Sequence, residues 1–163
     1  MIPPAGAAPV RRELPTVDDT EAFGEELGHE LAAGDLLLLA GPLGAGKTAL
    51  VRGLARGLGV TGAVASPTFV IAREHPPSGH GPALVHVDAY RLGAADPDAG
   101  AADVAAELDD LDLDTELDRA VVAVEWGTGV AARLGAGTGA VEVVLERRDD
   151  ETRVATLRRT GAP

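Results

Sequence analysis

Cysteine, asparagine and glutamine are all absent from this 163-residue chain. Without cysteine there is no disulfide and no thiolate metal site. Without asparagine the N-K-x-D motif that reads guanine cannot be written. Without glutamine there is no Ras-type side chain to orient a water. A conventional small GTPase is therefore excluded, and for any nucleotide chemistry ATP is favoured. Aromatic residues make up 2% of the chain, so the core must be built from Leu, Val and Ala. No apolar run approaches the roughly 20 residues of a membrane span. The N-terminal Met1-Ile2-Pro3-Pro4 lacks a charged region followed by an apolar one, so no signal peptide is expected and the expected location is cytoplasmic. The four histidines are scattered without H-x-x-x-H or H-E-x-x-H spacing, and no G-x-S-x-G is present, which argues against zinc and against a serine hydrolase. Positive charge is also scarce. The net charge of −12 argues against independent nucleic-acid binding, which needs a cationic surface.

Lysine occurs once, as Lys47, and every other strongly basic residue is arginine. It stands in Gly41-Pro42-Leu43-Gly44-Ala45-Gly46-Lys47-Thr48, which fits the phosphate-loop pattern G-x-x-x-x-G-K-[ST] at every fixed position. Leu36-Leu37-Leu38-Leu39-Ala40 precedes it and reads as a buried strand. The segment after it carries Leu50, Leu54 and Leu58 at helical spacing, with Gly59 as the stop. In that context the glycines turn the backbone so that consecutive N–H groups form an anion nest, and the helix adds the positive end of its dipole. Lys47 would reach the β- and γ-phosphates and Thr48 would bind magnesium. The plain alternative, a glycine-rich turn with a chance Lys-Thr, does not account for the flanks or for the lone lysine.

Two further apolar strands end in acids, Val87-Asp88 and Val124-Glu125. Ligands of a parallel nucleotide-binding sheet sit at the carboxyl ends of its strands, where carboxylates can hold magnesium or orient a water. The competing reading of either acid alone is an ordinary surface residue. Ser66-Pro67-Thr68-Phe69 offers two hydroxyls on a loop beyond the first helix, where a nucleotide-sensing switch would lie; a plain Ser-Pro turn is the alternative. His86 reads as a core residue. Trp126, the only tryptophan, either packs or positions groups beside Glu125. Ten carboxylates and no base lie between Asp96 and Asp118, read as a solvated face or else a docking surface for a basic partner.

The remaining pattern predicts one α/β domain over 16–160, after a loose tail over 1–15. The domain is a P-loop NTPase core with a mixed, mainly parallel sheet flanked by helices and a C-terminal antiparallel hairpin. Asp18 with Glu21 resembles a capping box opening a helix to about Ala33. Strands are predicted at Phe69–Ala72, Leu84–Asp88 and Ala120–Glu125, a loop at 76–82, and a short helix near Val104–Leu111. Val141–Leu145 and Arg153–Leu157 flank a turn at 148–151 and form the hairpin.

Taken together, the phosphate loop, Ser66-Pro67-Thr68-Phe69, His86-Val87-Asp88-Ala89-Tyr90-Arg91 and Glu125-Trp126 resemble the TsaE family, the ATPase component of bacterial tRNA threonylcarbamoyladenosine (t6A) synthesis. The resemblance implies an ATP- and Mg²⁺-dependent hydrolase, slow alone, that supports a TsaD-type transferase and its TsaB-type companion, and meets tRNA only through that complex. It assigns ATP to Gly41, Leu43, Gly44, Ala45, Gly46, Lys47 and Thr48. Magnesium falls to Thr48 and Glu125 with Asp88, catalysis to Lys47, Asp88 and Glu125, the switch to Ser66 and Thr68, and positioning to Trp126. Arg153 stands as counterpart of a late family arginine. Two positions depart from the family pattern: Pro42 stands where Asp is usual, and His75 where Tyr is frequent. The residues themselves leave two alternatives open, a small-molecule or nucleoside kinase sharing the loop, and a non-catalytic ATP-dependent scaffold.

Overall fold

The structure, a computed structural model, describes residues 1–60, 62, 72–88, 118–126 and 139–161, with the backbone alone of Trp126. Ser66, Thr68, residues 69–71 of the strand predicted over Phe69–Ala72, Tyr90, Arg91, the acidic stretch up to 117 and its predicted helix lie outside these residues.

Among the described residues seven strands form one sheet, in the order β1-β7-β6-β2-β5-β4-β3. They are β1 (Val10–Leu14), β2 (Leu36–Ala40), β3 (Ala72–His75), β4 (Ala83–Asp88), β5 (Ala120–Trp126), β6 (Val141–Arg147) and β7 (Arg153–Arg159). The four central strands β6, β2, β5 and β4 run parallel, while β3 and β7 run antiparallel to their neighbours. Continuous apolar runs explain why β2, β4 and β5 occupy the centre. Leu37, Leu39, Val87, Val121 and Val122 are wholly buried, as strands packed on both faces require. The hairpin expected at the C-terminus is β6–β7, two residues longer in each strand than predicted.

Residues 1–15 are not simply a loose tail. Val10–Leu14 forms the edge strand β1, paired antiparallel with β7 from Val10↔Leu157 to Leu14↔Arg153. Alternation is poor there, because Arg11, Arg12 and Glu13 interrupt it, and only Leu14 is buried. The strand forms because the free edge of β7 offers unpaired backbone groups.

Helix α1 (Val17–Glu30) begins two residues earlier in its capping pattern than the sequence suggested. The box is Thr16 with Asp19: Asp19 N–H donates to Thr16 Oγ1 at 3.1 Å, and Thr16 N–H donates to Asp19 Oδ2 at 2.9 Å. Thr16 precedes the first helical residue, so its hydroxyl reaches an otherwise orphaned donor, which Asp18 cannot do from inside the helix. Helix α2 (Lys47–Leu58) ends as predicted at Gly59, whose φ of 69° is left-handed.

The helices pack side by side on the sheet face carrying Leu37, Leu39, Val121, Ala123, Val141 and Val143. Their approach is close because glycine faces backbone. A Cβ on Gly53 would lie 1.8 Å from the Glu21 carbonyl oxygen, and one on Gly24 would lie 2.1 Å from that of Leu50. Outside this seam Glu21 pairs with Arg52 at 3.1 Å and with Arg56 at 2.7 Å. The 76–82 loop is tied to the end of α2: Ser78 N–H and Oγ both donate to the Gly59 carbonyl.

Candidate functional site

The phosphate loop lies between the carboxyl end of β2 and the start of α2, as its sequence requires. Gly46 is the N-cap of α2 with φ 102°, a left-handed conformation that a Cβ would strain. Among the described residues no side chain caps this helix, and no acid occupies its first turn. No side chain of the helix's own first turn competes for its leading amides, the arrangement in which a helix start receives phosphate. Leu43 stands at the outer tip of the loop, 92% exposed.

Lys47 is the buried cation of the site. Its ammonium donates to the carbonyls of Gly41 at 2.6 Å and Pro42 at 3.2 Å. Burial holds it below the usual lysine range, and the charges of Glu125 and then Asp88 act in the opposite direction. An ammonium kept charged in a buried position by two carboxylates is a fixed point charge rather than a mobile surface group.

Register brings the two acids together. Asp88 and Glu125 are Cα partners where β4 and β5 run parallel. Their positions at consecutive strand ends, read from the sequence as separate hints, become one pair of buried carboxylates at one level of the sheet. Thr48 Oγ1 lies 3.4 Å from Glu125 Oε1. Among the described residues no three His, Cys, Asp or Glu side chains form a metal cage. Two carboxylates and a hydroxyl are nevertheless the donor set that suits magnesium. That ion favours oxygen, takes one or two carboxylates, and completes its shell with water and substrate phosphates. Asp88, Glu125 and Thr48 thus fit the cation that the sequence led us to expect.

These groups line a single cleft of about 600 Å³, together with Val17, Thr20, Ala49, Arg52 and Arg153. Leu43, Gly44, Ala45 and Gly46 form its loop wall. Gly41 lies behind it, at the end of β2. The Trp126 backbone continues β5 beside Ala40. Ser66 and Thr68, the expected switch, lie outside the described residues.

Beyond Arg153, which the family resemblance had singled out without a role, the cleft has contributors that sequence reasoning missed. Val17 and Thr20 enter from the first turn of α1, and no local motif marks them; their arrival depends on the glycine seam that sets α1 against α2. Arg153 arrives from β7, its side chain near Gly46. His86 was read as core, and it is indeed wholly buried, but its Nε2 lies 2.9 Å from Glu125 Oε1. The spacing H-x-D on a strand was the available signal, since residues two apart share a face.

Comparison with known proteins follows the same lines. The sequence model of the family described as "Threonylcarbamoyl adenosine biosynthesis protein TsaE" matches residues 14–155. A relative from Mycobacterium tuberculosis, named tRNA threonylcarbamoyladenosine biosynthesis protein TsaE, is 52% identical over 145 residues, 88% of this chain and 83% of its own. One of the same name from Streptomyces coelicolor is 58% identical over 112 residues, covering 69% and 70%. Among solved structures, the crystal structure of Bacillus subtilis YdiB superposes with a TM-score of 0.67 at 25% identity, covering 94% of this chain and 87% of the other.

Proposed function

The chain belongs to the TsaE family, and on that premise we propose that it is a Mg²⁺-dependent ATPase serving t6A modification of tRNA. The observation that carries the proposal is the convergence of Lys47, Thr48, Asp88 and Glu125 on one cleft at the start of α2. In this reading the amides of residues 44–48 and the Lys47 ammonium bind the β- and γ-phosphates. Thr48 and Glu125, with Asp88 beside them, hold the magnesium ion, which when bound neutralises phosphate charge. The carboxylate not engaged by the cation orients the attacking water. Arg153 and Arg52 border the cleft from β7 and α2, and Val17 supplies an apolar wall.

The proposed reaction is hydrolysis of the terminal phosphate, a transfer to water in which positioning and charge stabilisation are nearly the whole of catalysis. No glutamine exists to hold the water. Turnover by the chain alone is therefore slow, and we propose that a TsaD-type transferase and a TsaB-type companion complete or regulate the site. The net charge of −12 suits a protein that meets tRNA through those partners. Such a role places the chain in the cytoplasm; among the described residues no helix is long and apolar enough to cross a membrane.

The test is steady-state ATP hydrolysis with and without magnesium, and with and without the transferase pair, comparing the native chain with Lys47→Ala. Magnesium-dependent hydrolysis that Lys47→Ala abolishes and the pair accelerates is expected. Phosphate transfer to a nucleoside or sugar instead of water would replace this reading by the kinase alternative.

A further inference from the structure

We propose that His86 is a positioning residue for Glu125: its Nε2–H anchors one carboxylate oxygen from inside the sheet and so fixes how the other is offered to the cleft. The inference rests on the proposed Mg²⁺–nucleotide site and adds to it a residue that touches neither ligand.

The geometry follows from the strand pairing. Along β4, Leu84, His86 and Asp88 share one face; along β5, Val121, Ala123 and Glu125 share the same face, in register with them. From the sheet interior outward the rows are Leu84/Val121, His86/Ala123 and Asp88/Glu125. Opposite His86 stands Ala123, whose single methyl leaves room for the imidazole to lean along the strand toward the next row. Diagonal neighbours of this kind are within reach of long side chains. The contact made is His86 Nε2 to Glu125 Oε1 at 2.9 Å, with His86 fully buried and Glu125 nearly so.

The other ring nitrogen decides the tautomer. His86 Nδ1 is buried with no hydrogen-bond partner among the described residues. A proton on Nδ1 would be a bare buried donor, at substantial desolvation cost, and a lone pair on Nε2 would face a carboxylate oxygen. The neutral ring with its proton on Nε2 avoids both. That proton then holds Oε1. Thr48 meets the same oxygen at the longer distance of 3.4 Å. The terminal torsion of a glutamate is soft, so a carboxylate held only by Thr48 would be free to turn when that hydroxyl engages a cation. Anchored by His86, it keeps its orientation. Partners of this outer kind typically change metal affinity 10–100-fold when removed.

Two amides separate a donor at the ε position from one at the δ position. Gln reaches about as far as Nε2 of histidine, and Asn about as far as Nδ1. Calorimetric binding of the non-hydrolysable analogue AMP-PNP, titrated with Mg²⁺, is to be compared in the native chain, His86→Gln, His86→Asn and His86→Leu, with Mg²⁺-free ADP as comparator. The native chain and His86→Gln are expected to agree within about threefold in their magnesium dependence. His86→Asn and His86→Leu should need at least about tenfold more magnesium while binding Mg²⁺-free ADP as the native chain does. Equal magnesium dependence in all four, or His86→Gln as impaired as His86→Leu, overturns the proposal. Should the variants not fold, ¹⁵N spectra of the native imidazole decide: protonation at Nε2 alone is expected, and protonation at Nδ1 alone overturns it. A native chain that binds AMP-PNP without any response to magnesium would refute the functional reading itself, a different result from variants that merely match it.

Discussion

Asp88 and Glu125 stand side by side at the ends of two parallel strands, one residue opposite the other. Both are buried, and Lys47 is buried among them. Neither carboxylate is placed by a local motif; the register of β4 on β5 aligns them. Their division of labour can be tested by removing one charge at a time. Asp88→Asn and Glu125→Gln preserve shape and delete charge. Each should weaken magnesium-dependent nucleotide binding by about tenfold to a hundredfold, the range for a lost charge-assisted contact. Asp88→Asn, which removes the carboxylate left to orient the water, should also lower hydrolysis by at least about a hundredfold at saturating magnesium. Binding measured over a magnesium series separates the two effects, and an unchanged magnesium requirement in both variants would remove these acids from the cation site.

Lys47→Arg is expected to fail about as badly as Lys47→Ala. The ammonium fits within 2.6 Å of the Gly41 carbonyl, in a position only 6% exposed. A planar guanidinium is larger, and its fixed fork cannot reproduce a compact point charge there. Elsewhere every strongly basic residue is arginine, so arginine's absence at this one position has a steric reason. Equilibrium binding of ATP should fall by roughly tenfold or more in both variants. Native affinity in Lys47→Arg would contradict the tight fit.

How legible the site was varied with the kind of signal. The loop, β2 and α2 were readable because each depends on neighbours in sequence: fixed glycines, a continuous apolar run, leucines four apart and a glycine stop. The capping residue of α1 was misplaced by two positions because Asp18 and Thr16 are both competent caps, and only the backbone shows which stands outside the helix. Edge strand β1 was invisible, since Arg11-Arg12-Glu13 lacks alternation and the strand owes its existence to β7, far away in sequence. His86 was classed correctly as buried yet its partner went unseen, because a contact between β4 and β5 depends on register. Val17 and Thr20 were hidden for the same reason, and Arg153 was named by resemblance without its place being readable: nothing local announces which helix start or strand end will border a cleft.

The alkaline limit of nucleotide binding should move when Glu125 loses its charge. Burial disfavours the Lys47 ammonium, and Glu125 is the larger of the two carboxylate influences that restore it. In Glu125→Gln the ammonium therefore gives up its proton at lower pH than in the native chain. Binding of Mg²⁺-free ADP, followed upward from neutral pH, should consequently weaken earlier in the variant. Superimposable alkaline limbs would mean that Glu125 does not sustain the charge on Lys47.

Acid should loosen the helix pair through Glu21. Its carboxyl is held below its ordinary value of 4.5, chiefly by the Arg56 hydrogen bond and further by Arg52, against the opposing effect of burial. A lowered folded-state value means the stabilisation is full above about pH 4.5 and is lost as pH falls through the lower value. Both arginines are about half exposed, so the contribution is about 0.5–1 kcal/mol. Urea midpoints of the native chain and Glu21→Gln should differ at pH 7 and converge toward pH 3. A gap that persists at pH 3 would assign the difference to packing instead of charge.

Gly53→Ala tests whether the close seam between α1 and α2 is what delivers Val17 and Thr20 to the cleft. The added methyl would lie 1.8 Å from the Glu21 carbonyl oxygen. Backbone cannot yield as a side-chain tip can, so the helices must separate. A loss of about 3 kcal/mol is expected, at the upper end for overpacking. At this chain length that corresponds to a melting temperature lower by about 10 °C. Gly79→Ala is the control, because a Cβ there meets nothing within 4 Å. Separation also carries the first turn of α1 away from the phosphate loop, so nucleotide affinity should fall in Gly53→Ala although no residue of the loop has changed. A variant that melts lower but binds nucleotide like the control would show that α1 stabilises the fold without shaping the site, and equal melting of the two variants would show that the helices do not meet this closely.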